Sequence, residues 1–177
     1  MQRLANVSID LDGLGCYHAI HGLADHADPT AIYRVALPRF LDLMASLGDV
    51  RATLFVIASD LEHREVVTAL RSAVEAGHEV ASHTWRHPYN LRDWSERGID
   101  EEIATAEELL ERHVGVRPVG FRTPGYNVDT RIVRILAERG YRYDSSVFPC
   151  PPYYAAKAAV MGAMAIAGRP RSRTWRA

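Results

Sequence analysis

The feature that most constrains this chain is an alternation of short strand-like runs with helical patterns, repeated five times in one direction. The strand-like runs are 4–10, 51–58, 78–82, 118–122 and 141–144. Between them, Leu37, Phe40, Leu41 and Met44 recur at helical spacing, as do Val66, Val67, Leu70 and Val74. Ile103, Ala106, Leu109 and Leu110 follow Asp100 as a candidate N-cap, and Ile132, Val133 and Leu136 follow Asp129. Gly48, Gly77, Gly115 and Gly140 stand where these helices should stop. A last helix, rich in alanine and methionine, is expected over 154–167. Successive βα units imply an α/β fold with a parallel sheet, either open and doubly wound or closed as a barrel.

Parallel sheets gather functional groups at the carboxyl ends of their strands. Asp10 and Asp12 end the first strand, His83 and His87 follow the third, Arg122 ends the fourth and Asp144 the fifth. Neutral imidazoles plus a carboxylate form a metal-ligand set that keeps a position open for water, and a second carboxylate can serve as general base. Neither pair is specific alone. Histidines four apart arise by chance, and an acid after a strand often caps the next turn. Together each pair supplies what the other lacks, and strand alternation sends Asp10 and Asp12 to the same side. Such a set suits zinc first, with cobalt or another divalent ion also compatible.

Arg122 opens the segment Phe121-Arg122-Thr123-Pro124-Gly125-Tyr126, where a guanidinium can hold a carboxylate through a bidentate contact. Gly125 offers an open backbone N–H to a developing oxyanion. Asp144 either meets Arg122 or caps a turn. His18, His21 and His26 fall in a stretch read as a loop, a rival ligand set without a rigid frame. His63, His78 and His113 read as solvated or helix-end residues. Glu101, Glu102, Glu107, Glu108 and Glu111, with Asp100, read as an exposed helix face.

Composition narrows the partners. With 177 residues and 47% hydrophobic content, one domain with a true core is expected. A formal charge of -1 argues against nucleic acid and acidic membrane surfaces as partners. No run approaches the roughly 18 apolar residues of a membrane span, and no secretory apolar stretch follows Met1, so a cytoplasmic protein is expected. Cys16 and Cys150 lack metal-ligand spacing, and a bridge between them is not expected in a reducing compartment.

With these residues in view, the chain resembles the polysaccharide deacetylase (NodB-homology) family, the family-four carbohydrate esterases. The resemblance runs from about residue 6 to residue 149. It includes Ala52-Thr53-Leu54-Phe55-Val56 and Ala76-Gly77-His78-Glu79-Val80-Ala81-Ser82-His83 leading into the histidine pair. It implies a distorted (β/α) barrel of fewer than eight strands, here incomplete with about five. It also implies that Asp12, His83 and His87 hold one divalent ion, that Asp10 is the base oriented by Arg122, and that Gly125 takes the oxyanion position. The implied reaction is hydrolysis of an acetamide by a metal-activated water, with acetate leaving. Leu11 separates two acids that are adjacent in most of the family, so a related small amide stands beside an N-acetylated sugar as substrate.

The family's last motif supplies a histidine as general acid, and here no histidine follows His113. The expectation is a catalytic domain over 1–167 without the last strands, then a basic irregular tail over 168–177. The alternative is an impaired member that binds metal and ligand without efficient turnover. An open sheet edge should be covered by the 154–167 helix, by another copy in a homo-oligomer, or by nothing.

Overall fold

The computed structural model describes residues 5–21 and 28–166. Leu4 of the first strand-like run, His26 and the 168–177 tail lie outside the described residues. Five strands form one parallel sheet in sequence order: β1 (Val7–Asp10), β2 (Ala52–Val56), β3 (Glu79–Ser82), β4 (Gly120–Phe121) and β5 (Tyr143–Asp144). All five residues of β2 are buried, as a central strand covered on both faces requires. Sheet order and curl give the incomplete, distorted barrel that the resemblance implied.

The described residues form six α-helices: α1 (Leu14–His21), α2 (Leu37–Ser46), α3 (Arg64–Glu75), α4 (Glu96–Val114), α5 (Thr130–Glu138) and α6 (Pro151–Ile166). A π-helical turn, Ile32–Ala36, leads directly into α2. Pro38 sits in the first turn of α2, where its missing N–H costs nothing. Asp129 caps α5 by accepting from the backbone N–H groups of Arg131 and Ile132, each at 3.0 Å. The larger core cluster joins Leu54, Val56 and Val80 of the sheet to Leu37, Val66, Leu70 and Leu110 of the helices. A second lies under β4, where Phe121 meets Ile99, Ile103, Ile132 and Leu136. On β4, a Cβ at Gly120 would overlap the Tyr143 ring of β5.

Several sequence expectations are corrected. The stretch after β1 is the helix α1, not a loop. Helix α4 starts at Glu96 with Ser95 as its cap, so Asp100 lies inside it and pairs with Arg139 at 2.6 Å. Glu102 and Glu107 are buried, and Glu107 also accepts from Arg139, at 3.0 Å. His78 is buried, and its Nδ1 accepts from the Ala52 N–H at 3.2 Å. Cys16 and Cys150 need no correction: both are free thiols.

Helix α6 follows β5 in the chain. Its described side chains are exposed, Val160 and Ile166 among them, and Tyr153 makes an edge-on ring contact with Phe148. Among the described residues, no helix is long and apolar enough to cross a membrane.

Candidate active site

Two ligands of the candidate metal centre are placed by extensions of strands, and the third by the loop that follows β3. Leu11 continues the β1 ladder, its N–H donating to Phe55 O at 2.9 Å, and its side chain enters the core. Alternation then sends Asp10 and Asp12 to the opposite side. His83 extends β3 in the same way, its N–H donating to Val56 O at 2.8 Å. His83 Nδ1 lies 2.7 Å from the Arg122 carbonyl oxygen. A carbonyl only accepts, so Nδ1 carries the proton and Nε2 faces Asp12 with a bare lone pair.

The loop from Thr84 to His87 is under strain. Thr84 and His87 take φ of 70° and 58°, a region that costs non-glycine residues about 1–3 kcal/mol each. Four hydrogen bonds hold it there. His87 N–H donates to Thr84 Oγ1 at 3.0 Å, Ala58 N–H to Thr84 O at 3.0 Å, and Ser59 N–H to Trp85 O at 2.9 Å. The fourth comes from α4: Glu102, 1% exposed, accepts the Arg86 N–H at 2.5 Å. Sequence reading missed this residue, although a signal was there. Glu102 lies three after Ile99 and four before Ala106, on the apolar stripe of α4.

Among the described residues, Asp12, His83 and His87 form the one group of histidine, cysteine and acidic side chains placed to hold an ion. Their ligand atoms lie within 4.8 Å of one another. Asp12 Oδ1 is 3.4 Å from Nε2 of each histidine. Zinc bonds of about 2.1 Å at tetrahedral angles place neighbouring ligand atoms about 3.4 Å apart. Asp12 Oδ1 and His87 Nε2 are also buried without a hydrogen-bond partner. Such orphans cost about 1–3 kcal/mol each, and a cation between them would satisfy both. Burial disfavours the ionised Asp12 carboxyl, but hydrogen-bond donation and positive charge on the side of His83 and His87 hold it well below the usual carboxylate range, a role that passes to a bound cation when both imidazoles present lone pairs. The residues fit a divalent ion. His18 is not part of the group.

The second half of the site is built around Arg122. Its Nη1 donates to Asp10 Oδ1 at 2.6 Å, and its Nη2 to Ser8 Oγ at 3.0 Å and Ser145 Oγ at 2.7 Å. Its Nε donates to the Ser145 carbonyl at 3.1 Å, and the guanidinium lies 4.0 Å over the Phe55 ring. The arginine therefore fixes one carboxylate oxygen rather than forking across both, because serines take its other N–H groups. Asp144 does not meet it. Asp144 accepts from the Ser146 N–H at 3.1 Å and from Ser146 Oγ at 2.5 Å, the turn-capping alternative. Ser146 Oγ in turn accepts the Thr123 N–H at 2.8 Å, so Asp144 braces the Arg122 segment from behind.

Gly125 sits in the turn Pro124–Tyr126 at φ 67°, where a Cβ would come within 3.1 Å of the Tyr89 ring. That ring packs edge-on against His87, with centroids 4.7 Å apart. The backbone at Gly125 is thereby brought close to the histidine side of the cluster.

The Asp-His-His cluster and the Arg122–Asp10 pair share one end of the sheet, and comparison with known proteins assigns the lineage. The family profile described as polysaccharide deacetylase matches residues 29–143, more than half the chain. The chain belongs to the polysaccharide deacetylase family. The matched stretch begins after β1, so Asp10 and Asp12 join the site through the tertiary structure rather than through the match.

A peptidoglycan deacetylase-like protein of Gibberella zeae is 28% identical over 149 residues, 80% of this chain and 43% of the relative. A Mycobacterium smegmatis protein assigned as a polysaccharide deacetylase superposes with a TM-score of 0.65 at 26% identity, covering 81% of this chain and 50% of that one. The chitin deacetylase of Colletotrichum lindemuthianum gives a TM-score of 0.56 at 29% identity, covering 62% and 49%. The chain thus spans about half the length of the relatives it matches.

Proposed function

We propose that this chain is a divalent-metal-dependent deacetylase that removes the N-acetyl group from an amino sugar of a polysaccharide. The observation that carries the reading is the convergence of Asp12, His83 and His87 beside an Asp10 anchored by Arg122. The names of the relatives, peptidoglycan and chitin deacetylases, support the substrate class.

Asp12, His83 and His87 would hold the ion, which when bound polarises a carbonyl and lowers the pKa of water. The chain's own residues supply the remainder. Arg122 anchors one oxygen of Asp10 and so orients the carboxylate to take a proton from the attacking water. Gly125, held at positive φ, offers its backbone N–H where negative charge develops on the acetyl oxygen. The departing amine needs a proton. Asp10, protonated in the first step, is the group placed to return it.

The test is acetate release from N-acetylglucosamine oligomers by protein loaded with zinc or cobalt, against chelator-treated protein. Release by the loaded protein alone is expected. A stoichiometrically loaded, folded protein that frees no acetate would sink turnover and favour the impaired, ligand-binding reading.

A further inference from the structure

The loops after β3 and β4 each hold backbone in the left-handed region. Thr84 and His87 do so in the first, and Gly125 and Tyr126, at φ of 67° and 60°, in the second. Glycine takes this conformation freely, whereas Tyr126 carries a side chain and must be held there. The two loops meet at Tyr89. Its ring stands edge-on to His87 and fills the space that a Cβ on Gly125 would need. A candidate metal ligand and the turn that offers the Gly125 N–H therefore pack against the same ring.

The backbone of Tyr89 is gripped by Asn127, the residue that ends the Gly125 turn. Asn127 Nδ2 donates to the Tyr89 carbonyl oxygen at 3.2 Å, and Asn127 Oδ1 accepts from Arg92 Nη1 at 3.0 Å. A carbonyl only accepts and a guanidinium only donates, so the two partners fix which way the amide points. Arg92 belongs to the helical turn Leu91–Asp93, and Leu91 is buried in the core cluster under β4. Arg131 of α5, paired with Asp129 at 2.8 Å, donates to the carbonyl oxygens of Arg92 and Trp94. The stretch 89–94 is thus tied to the β4–α5 segment through the carbonyls of Tyr89, Arg92 and Trp94. Of these residues, Tyr89 is the one in contact with His87.

We infer that Asn127 is a positioning residue: through the Tyr89 carbonyl it holds the Tyr89 ring against both His87 and Gly125, and so fixes the spacing between the metal ligand and the oxyanion-binding N–H. The catalytic consequence rests on the proposed deacetylase reading; the coupling of Asn127 to His87 does not. A purely local role, closing the turn after β4, has a different signature. Loss of the side chain would then lower stability and leave the His87 ring where it is.

The experiment follows the His87 imidazole by NMR in the full metal-free chain, and then acetate release by the zinc-loaded chain. Asn127→Ala should shift the His87 ring resonances, because the neighbouring Tyr89 ring moves. It should also lower kcat about 10–100-fold with KM little changed, as removal of groups that orient metal ligands does. Asn127→Asp keeps an oxygen facing Arg92, which a guanidinium accepts as a partner, but sets another against the Tyr89 carbonyl. It should reproduce the alanine result and, being isosteric, carries the test if the alanine variant does not fold. Arg92→Ala removes the other partner of the amide and should leave the His87 resonances in place and kcat near its native value. In a Tyr89→Ala background, Asn127→Ala should add little, because the route to His87 is already cut. His87 resonances unmoved by Asn127→Ala and Asn127→Asp, an equal shift from Arg92→Ala, or full additivity with Tyr89→Ala would overturn the inference. The two readings fail separately: a loaded chain that frees no acetate refutes turnover, and the His87 resonances still decide the coupling.

Discussion

The β1–β3 half and the segment from β4 onward follow the same alternating pattern and reach different degrees of closure. β2 pairs with β1 and with β3 over four registered positions each, whereas β4 meets β3 at the single pair Ser82↔Phe121 and β5 at two. The last helix differs in the same sense, although α5 of the later segment buries Ile132 and Leu136. Val66 and Leu70 of α3 are fully buried, while the described side chains of α6 are exposed. The lesson concerns where precision in the site comes from. In the candidate cluster, Asp12 and His83 extend strands of the well-paired half, and His87 stands in the loop that follows β3. The later half reaches them through Arg122, held in turn by Ser145.

The largest expected effect falls on the well-paired half. His87→Ala should abolish stoichiometric zinc binding, read by metal analysis after gel filtration, because it removes one of three ligands. Retention of one ion per chain would mean that the cluster is not the site. Asp10→Asn should keep the metal and lower acetate release about 10²–10⁴-fold, since an amide cannot take the proton. Should metal content fall as it does in His87→Ala, Asp10 would be a ligand rather than a base.

Glu102→Ala tests whether the strained loop depends on α4. It leaves the Arg86 N–H unpaired, so urea unfolding should report a loss of about 1–3 kcal/mol. Zinc affinity should fall about 10–100-fold, as for other groups that orient ligands. Glu102→Gln keeps an acceptor and should lose less of both. Unchanged zinc affinity in a destabilised Glu102→Ala would separate the loop from the helix.

A smaller effect is pH-dependent. Asp60 titrates near 6 in the folded chain and near 3.9 when unfolded, so the native state binds more protons between those values. Stability from this group is present below about pH 4 and is lost as pH rises through about 6. Thermal melts should therefore show Asp60→Asn gaining on the native chain from pH 4 to pH 7, and a constant difference would contradict the burial of Asp60. The smallest effect belongs to α6. Val160→Asp should shift stability by no more than about 0.5 kcal/mol, as at other exposed positions. Leu70→Ala in α3 should cost about 2–5 kcal/mol. A large loss from Val160→Asp would erase the contrast between the two halves.

Local periodicity accounts for what was legible in the chain. A period of two and the order of strands and helices placed Asp10, Asp12, His83, His87 and Arg122 at one end of a parallel sheet. Asp129 and Gly115 marked helix ends because capping depends on neighbours a few residues away. The partners of buried polar groups were not legible. Whether Asp144 or Ser145 would meet Arg122 depended on the turn after a two-residue strand. That Glu102 would be buried depended on a backbone N–H sixteen residues earlier needing an acceptor. Arg122 and Asp10 lie 112 residues apart in sequence and meet only once β1–β4 are assembled. Backbone geometry acts over one or two turns and is written in the local pattern. The pairing of buried charges is decided by which groups lose water together, and only the closed fold determines that.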